Sequence, residues 1–350
     1  MRSRVVYPVP EFPSPMGGVR VLHRHVELLV EAGVDAFVWL PTEGYRYGWF
    51  DSPAPRLYGA ELALTEHDLL VVPEGGVRPG VDPAPGARKV IFNQNHFLSY
   101  LNFEPDQPYP GWQPAPGVWV VSQESAEVLA ATEPELPCSL IPNPLDLDLF
   151  RPAAQRVRRI AWMPRKRPLE AKLLERALRA DPRSAGVELV ALQGLPETEV
   201  ARILGESSVF LALGLYEGFG LPIAEALASG CLVLGYAAGG GQELFEAPGT
   251  WQLPDQRPTM LADAALSMVV DGLPDEDGVR AAARDWVAQR YTAQTATKAL
   301  RTAVDEAMAQ PGAACTAVHP MNLSDPELGA GIMRNFLRAF GMPELPVGPR

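Results

Sequence analysis

The sequence predicts an α/β protein made of two consecutive domains, each built on a parallel sheet. Three observations carry this. Short Val/Ile/Leu-rich runs alternate with amphipathic stretches along most of the 350 residues, the pattern of repeated strand–helix–strand units. The runs are only four to six residues long, as expected of strands buried on both faces. The alternation also occurs twice, with a break near residues 143–159, where Pro142, Pro144 and Pro152 are followed by Arg156, Arg158 and Arg159. Such a chain is too long for one ordinary core and about right for two.

The first series of strands is expected at residues 4–8, 36–40, 69–73, 89–92, 118–121 and 139–142. The second is expected at 159–163, 188–192, 209–213 and 232–235. Helical spacing of apolar residues appears over 19–32, stopped by Gly33, and over 169–180, 197–204, 223–228 and 260–270. Residues 276–309 read as two helices with Trp286 and Tyr291 near their junction, and 330–340 as a short helix before a Pro-rich end. Residues 44–58 and 97–119 read as long loops rich in aromatics and proline, a kind of loop that is often functional. The domains follow as 1–150, 151–310 and a tail, 311–350, with the option of packing back on the first domain. Two Rossmann-like domains of this kind face each other across a cleft, at the carboxyl ends of their strands.

Composition narrows the function classes. The formal net charge is −12, a poor basis for gripping nucleic-acid phosphates. Residues 1–150 hold 9 Lys+Arg against 19 Asp+Glu, and residues 151–350 hold 21 against 23. Basic side chains therefore concentrate in the second half, where an anionic ligand can use them. Three widely spaced cysteines, Cys138, Cys231 and Cys315, suggest neither a disulfide framework nor a zinc site. With no leader-like segment and no run of about 20 apolar residues, the expectation is a cytoplasmic protein without an integral membrane segment, with peripheral association at the inner membrane face as the alternative.

The strongest chemical signal is Glu217-Gly218-Phe219-Gly220-Leu221-Pro222-Ile223-Ala224-Glu225, directly after the apolar run 209–213. A strand ends at a carboxylate, and a Gly-x-Gly turn lets backbone approach a ligand. Pro222 then sits in a helix's first turn, and the helix N-terminus offers N–H groups to an anion. Glu225 is expected on the first helical turn, facing the same pocket. Met163-Pro164-Arg165-Lys166-Arg167 follows the first strand of the second domain and suits phosphate, which takes Arg forks and Lys point charges.

On these residues the chain resembles the retaining GT-B glycosyltransferases, especially family 4 (glycosyl transferases group 1), whose Glu-x7-Glu motif matches Glu217 and Glu225. The likeness covers most of residues 1–310 and is most specific in the second half. It implies transfer of a sugar from a nucleotide-sugar donor, UDP- or GDP-linked, to a hydroxyl of a glycan or small-molecule acceptor. It implies retention of configuration, no metal and no other cofactor, and a place in bacterial polysaccharide or glycan biosynthesis. By the same resemblance Glu217 contacts the donor sugar, Glu225 the ribose, and the backbone of Gly218, Phe219, Gly220 and Leu221 the diphosphate or sugar.

Arg165 and Lys166 are the basic pair expected at the diphosphate, with Arg167 and Lys172 as alternatives, because many members space the two apart and here they are adjacent. Ile141-Pro142-Asn143-Pro144-Leu145-Asp146, followed by Phe150-Arg151-Pro152, resembles the linker that crosses to the donor domain, with Asn143 lining the cleft. Gly17 and Gly18, just before the first helix, resemble the glycine loop that closes over the donor phosphates. Asn93-Gln94-Asn95-His96 places His96 at a strand end where the family often has a histidine beside the anomeric carbon. Gly239-Gly240-Gly241 resembles a loop near the base. His23 and His25 read as surface or packing residues. A catalytically degenerate homologue that binds a sugar nucleotide or a partner protein, and a GT-B epimerase or phosphorylase, are the alternatives. Oligomeric state is left open.

Overall fold

A computed structural model describes residues 3–12 and 15–318; the helix expected at 330–340 and the Pro-rich end lie outside the described residues. The chain forms two compact units. Unit 1 takes Met1–Ile141 together with the chain from Thr297 on, and unit 2 is Pro142–Ala296.

Unit 1 contains β1 (Val5–Pro8), α1 (Gly17–Glu31), β2 (Ala36–Leu40), β3 (Arg56–Tyr58), β4 (Leu62–Leu64), β5 (Leu69–Pro73), β6 (Arg88–Asn93), β7 (Gly117–Val120), α2 (Gln123–Thr132) and β8 (Cys138–Leu140). Seven strands make one parallel sheet in the order β3-β2-β1-β5-β6-β7-β8. Val6, Leu70, Val72, Ile91, Val118 and Val120 from its central strands are buried in a common core. Such continuous apolar strands need cover on both faces.

Unit 2 contains β9 (Val157–Trp162), α3 (Pro168–Ala180), β10 (Glu188–Ala191), α4 (Glu197–Glu206), β11 (Ser207–Leu213), α5 (Leu221–Ala228), β12 (Leu232–Tyr236), β13 (Thr250–Gln252), α6 (Pro258–Asp271) and α7 (Glu276–Arg290). Its parallel sheet has the order β10-β9-β11-β12-β13. Ile160, Trp162, Leu211 and Leu234 pack against Leu174 and Leu178 of α3 and Leu261 and Leu266 of α6.

The domain limits differ from the expected ones at both ends. Residues 142–150 belong to unit 2: Leu145 N–H donates to Tyr291 O at 2.8 Å, and Arg284 donates to Phe150 O and Leu147 O, each at 2.9 Å. A final helix, α8 (Ala293–Met308), starts in unit 2, and from Thr297 its residues belong to unit 1. There Arg301 reaches Ala32 O at 3.4 Å and Ala313 N–H donates to Gly86 O at 2.8 Å. A last strand, β14 (Cys315–Val318), pairs antiparallel with β4. The first supposed loop ends in a strand, β3, which the sequence reading missed, whereas β7, at the end of the second, is the strand expected at 118–121. At three residues β3 is too short for an alternating pattern to show. Among the described residues no helix is long and apolar enough to cross a membrane.

Candidate functional site

In unit 2 the strand order reverses direction between β9 and β11. In open parallel sheets that reversal leaves a crevice outside the carboxyl ends of the two strands, the usual place for a ligand. The loop after β9 carries Arg165, Lys166 and Arg167; the loop after β11 carries Glu217, Gly218, Phe219 and Gly220. Lys166 Nζ lies 2.8 Å from Glu217 Oε2, both side chains about one-sixth exposed.

The surrounding backbone holds this pair in place. Glu217 N–H donates to Ala238 O and Gly240 N–H donates to Glu217 O, each at 2.8 Å, so the turn after β12 supports the Glu217 loop. A Cβ on Gly240 would overlap Gly218 O, which is why that turn is glycine-rich. Gly220 has φ 93° and caps α5, a conformation glycine adopts without strain. No backbone hydrogen bond among the described residues uses the N–H groups of Phe219, Gly220 or Leu221, and they stand at the positive end of α5. The Phe219 side chain is buried edge-on against Tyr291 at 4.9 Å, leaving its amide as the group available to a ligand.

The cap at Gly220 makes Leu221 the first helical residue. Glu225 therefore begins the second turn of α5, not the first as expected. Its side chain is half-buried and makes no hydrogen bond among the described residues. Burial, with the Glu197 carboxylate adding to it, pushes the Glu225 carboxyl up to about 8. A carboxyl in that state has its full hydrogen-bonding capacity left for a ligand hydroxyl.

The four basic candidates separate by what they touch. Arg167 is buried: it donates to Gly214 O at 2.7 Å, pairs with Glu170 and Asp255 at 3.1 Å each, and lies 4.8 Å from the Tyr236 ring centre. It braces the ends of β9 and β11. Tyr236 completes this brace, donating to Glu170 Oε1 at 2.5 Å and accepting from Arg257 N–H at 3.1 Å. Arg165 is exposed beside Lys166, and Lys172 is exposed on α3. The sequence reading missed Glu170, Tyr236 and Asp255, which are far apart in the chain and carry no motif.

Asn143 is buried, and its Oδ1 has no hydrogen-bond partner. Such an orphaned acceptor is uncommon in a folded interior.

The remaining candidates lie in unit 1. Gly17 and Gly18 are the first two residues of α1, not a loop ahead of it, and a Cβ on Gly18 would press on the Gln94 side chain at 3.2 Å. His96 is buried in the short 3-10 turn after β6. Its Nδ1 is 2.9 Å from Ser125 Oγ, which is 2.8 Å from Ser122 Oγ, the N-cap of α2. Its Nε2 makes no hydrogen bond and is 4.0 Å from Glu124 Oε1. Burial lowers the His96 pKa, keeping the ring neutral. Nearby Glu74, at the end of β5, is buried and pushed up to about 7, although the amides of Gln94 and Asn95 oppose the shift. No motif marked Glu74.

His23 and His25 are packing residues, both fully buried. The aromatics of residues 45–50 pack on one another: Tyr47 stacks on Phe50 at 5.0 Å and meets Tyr45 at 5.0 Å. Among the described residues no three His, Cys, Asp or Glu side chains are grouped as a metal site.

Known proteins resemble this chain in sequence and in fold. Residues 175–286 match the family described as Glycosyl transferases group 1. The chain is 28% identical over 233 residues to an alpha-1,6-glucosyltransferase of Actinobacillus pleuropneumoniae, covering 63% of this chain and 69% of that protein. Among solved structures it is similar to a sucrose-phosphate synthase from Thermosynechococcus elongatus, with a TM-score of 0.64 at 15% identity, covering 87% of this chain and 99% of the other. It is also similar to HepE of Anabaena in complex with UDP, with a TM-score of 0.57 at 14% identity, covering 87% and 100%.

Proposed function

We propose that this chain is a glycosyltransferase whose unit 2 binds a nucleoside-diphosphate sugar and transfers the sugar with retention of configuration; the likeness in fold to a sucrose-phosphate synthase and the match of residues 175–286 to Glycosyl transferases group 1 support this reading. The observation that carries the reading is the Lys166–Glu217 pair at the crevice between β9 and β11, beside the open amides of Phe219, Gly220 and Leu221. HepE binds UDP, and the curated relative is named as a glucosyltransferase; UDP-glucose is therefore the first donor to test.

In this mechanism Lys166 leaves Glu217 for the diphosphate, with Arg165 beside it. Glu217, released, accepts hydroxyls of the donor sugar, and Glu225 accepts those of the ribose. The bond from the anomeric carbon to the diphosphate oxygen breaks, and a bond to the acceptor oxygen forms on the same face. The acceptor's proton passes to the departing diphosphate. Lys166 and the α5 amides stabilise the charge that builds on the leaving group, so the step needs no metal and no other cofactor. Unit 1 takes the acceptor, with Gly17, Gly18 and His96 serving the reaction from that unit, and Asn143 offers its unpaired oxygen to the donor.

The test is a thermal-shift screen against UDP, GDP, ADP, CMP and dTDP and their common sugars, with and without EDTA. A ligand bound only by the native state raises the melting temperature. One nucleoside diphosphate raising it in wild type, equally with EDTA, and failing to do so in Glu225→Ala is the expected result. No shift with any nucleotide would reject the reading. Proton NMR of the product's anomeric signal then reports retention or inversion.

A further inference from the structure

A cavity of about 360 Å³ opens in unit 1 among Arg46, Tyr47, Phe50, Asp51, Pro53 and Arg56. Its walls come from the segment that leaves the carboxyl end of β2 and from Arg56, the first residue of β3, which pairs in register with Val38. That segment is anchored to the loop after β1, where the Tyr47 hydroxyl donates to Pro10 O at 2.8 Å and Thr42 N–H donates to Glu11 Oε1 at 2.7 Å. The segment is thus held on the side where sheets of this kind bind ligands. Ligand cavities run from about 300 to 1,000 Å³, so this one suits a single small ring and not an extended chain.

The chemistry of its lining is selective. Ser52, at its back, is fully used: its hydroxyl donates to Glu27 at 2.6 Å, lies 3.0 Å from His23 Nδ1 and accepts from Ala54 N–H at 3.2 Å. Glu27 is in turn neutralised by Arg20 and Arg24 at 3.2 and 3.1 Å. The groups left to a ligand are therefore Arg46, Arg56 and Asp51. Arg46 is exposed with no ion-pair partner among the described residues. Arg56 spends one N–H on Ser52 O at 2.8 Å and keeps the rest of its fork. Two guanidinium groups beside one cavity stand out in a half of the chain with only 9 basic residues against 19 acidic. Tyr47 and Phe50, held stacked 5.0 Å apart, add an apolar wall.

We propose that this cavity binds an anionic sugar residue of the acceptor, one carrying a phosphate or a carboxylate. The anion lies between Arg46 and Arg56, a ring hydroxyl donates to Asp51, and the apolar face of the ring rests on Tyr47 and Phe50. This rests on the reading of the chain as a glycosyltransferase whose unit 1 takes the acceptor.

The test is titration of the full chain, by calorimetry, with glucose 6-phosphate, glucuronic acid, glucose and inorganic phosphate, and separately with the nucleotide found in the donor screen. The expected result is that at least one of the two anionic sugars binds about tenfold or more tightly than glucose and than inorganic phosphate; which of the two does so identifies the anion. Arg46→Ala and Arg56→Gln should each weaken that probe by about tenfold and leave nucleotide binding unchanged. Anionic sugars binding no better than glucose, equal binding of inorganic phosphate, or unchanged binding in both variants would each overturn the proposal. Loss of nucleotide binding in the wild-type protein is a different failure, of the donor-site reading itself. Because Arg46 is an exposed side chain, Arg46→Ala tests the site without risk to folding.

Discussion

Lys166 and Glu217 are 2.8 Å apart across the ends of β9 and β11, although 51 positions separate them in the chain. Each side chain is partly open to solvent. A partly exposed pair of this kind contributes only about 0–1 kcal/mol to folding. Lys166→Ala should therefore leave the melting temperature nearly unchanged while lowering kcat by about 10²–10³, as loss of one charge-stabilising group does. Melting curves and initial rates on the same preparations check both halves of the statement.

Arg167 should behave in the opposite way. It is buried, and its guanidinium serves Gly214, Glu170 and Asp255 at once. Removing it leaves the half-buried Gly214 carbonyl without its donor and the half-buried Glu170 carboxylate without its charge partner, at a cost of about 1–3 kcal/mol. Arg167→Ala should melt several degrees below wild type, whereas Arg165→Ala, at an exposed position, should not. A comparable melting point for the two variants would show that Arg167 is not a brace.

Glu225 gives a pH signature. Its carboxyl is raised from 4.5 to about 8 in the fold, so between those values the unfolded chain ionises while the folded one resists. The folded state accordingly loses stability as pH rises from about 4.5 towards 8. Glu225→Gln has no such group to ionise. Its melting temperature should match wild type near pH 4.5 and exceed it increasingly up to pH 8. A difference that stays constant with pH would rule out the raised pKa.

His25 gives the mirror image in acid. The ring is fully buried between Tyr7 and Phe92, at 6.0 and 4.6 Å, and neither nitrogen has a hydrogen-bond partner. Burial lowers its pKa from 6.5 to about 3. Between those values the unfolded chain takes up a proton that the folded chain refuses, so stability falls as pH falls below about 6.5. His23, also lowered to about 3, adds to the effect. His25→Phe should flatten the acid limb of the stability curve between pH 6 and pH 4, as urea unfolding at several pH values would reveal.

Much of this protein could be read from residue order alone, because the signals involved are local. Strand–helix alternation, the Gly220–Pro222 turn and the Glu217…Glu225 spacing depend only on neighbours within a dozen positions, and period and turn chemistry are written at that range. Other features depend on groups that meet only after folding. The order β10-β9-β11 places Lys166 beside Glu217 and makes Arg167 a brace, so one of three consecutive basic residues pairs with the carboxylate and the next is spent on structure. Residues 315–318 join β4 through backbone hydrogen bonds, which carry no side-chain code. The low pKa of His25 and the guanidinium groups of Arg46 and Arg56 at the cavity, the second only partly used by Ser52 O, likewise reflect burial and partnership. These are properties of the space around a side chain, which the residue's identity does not contain.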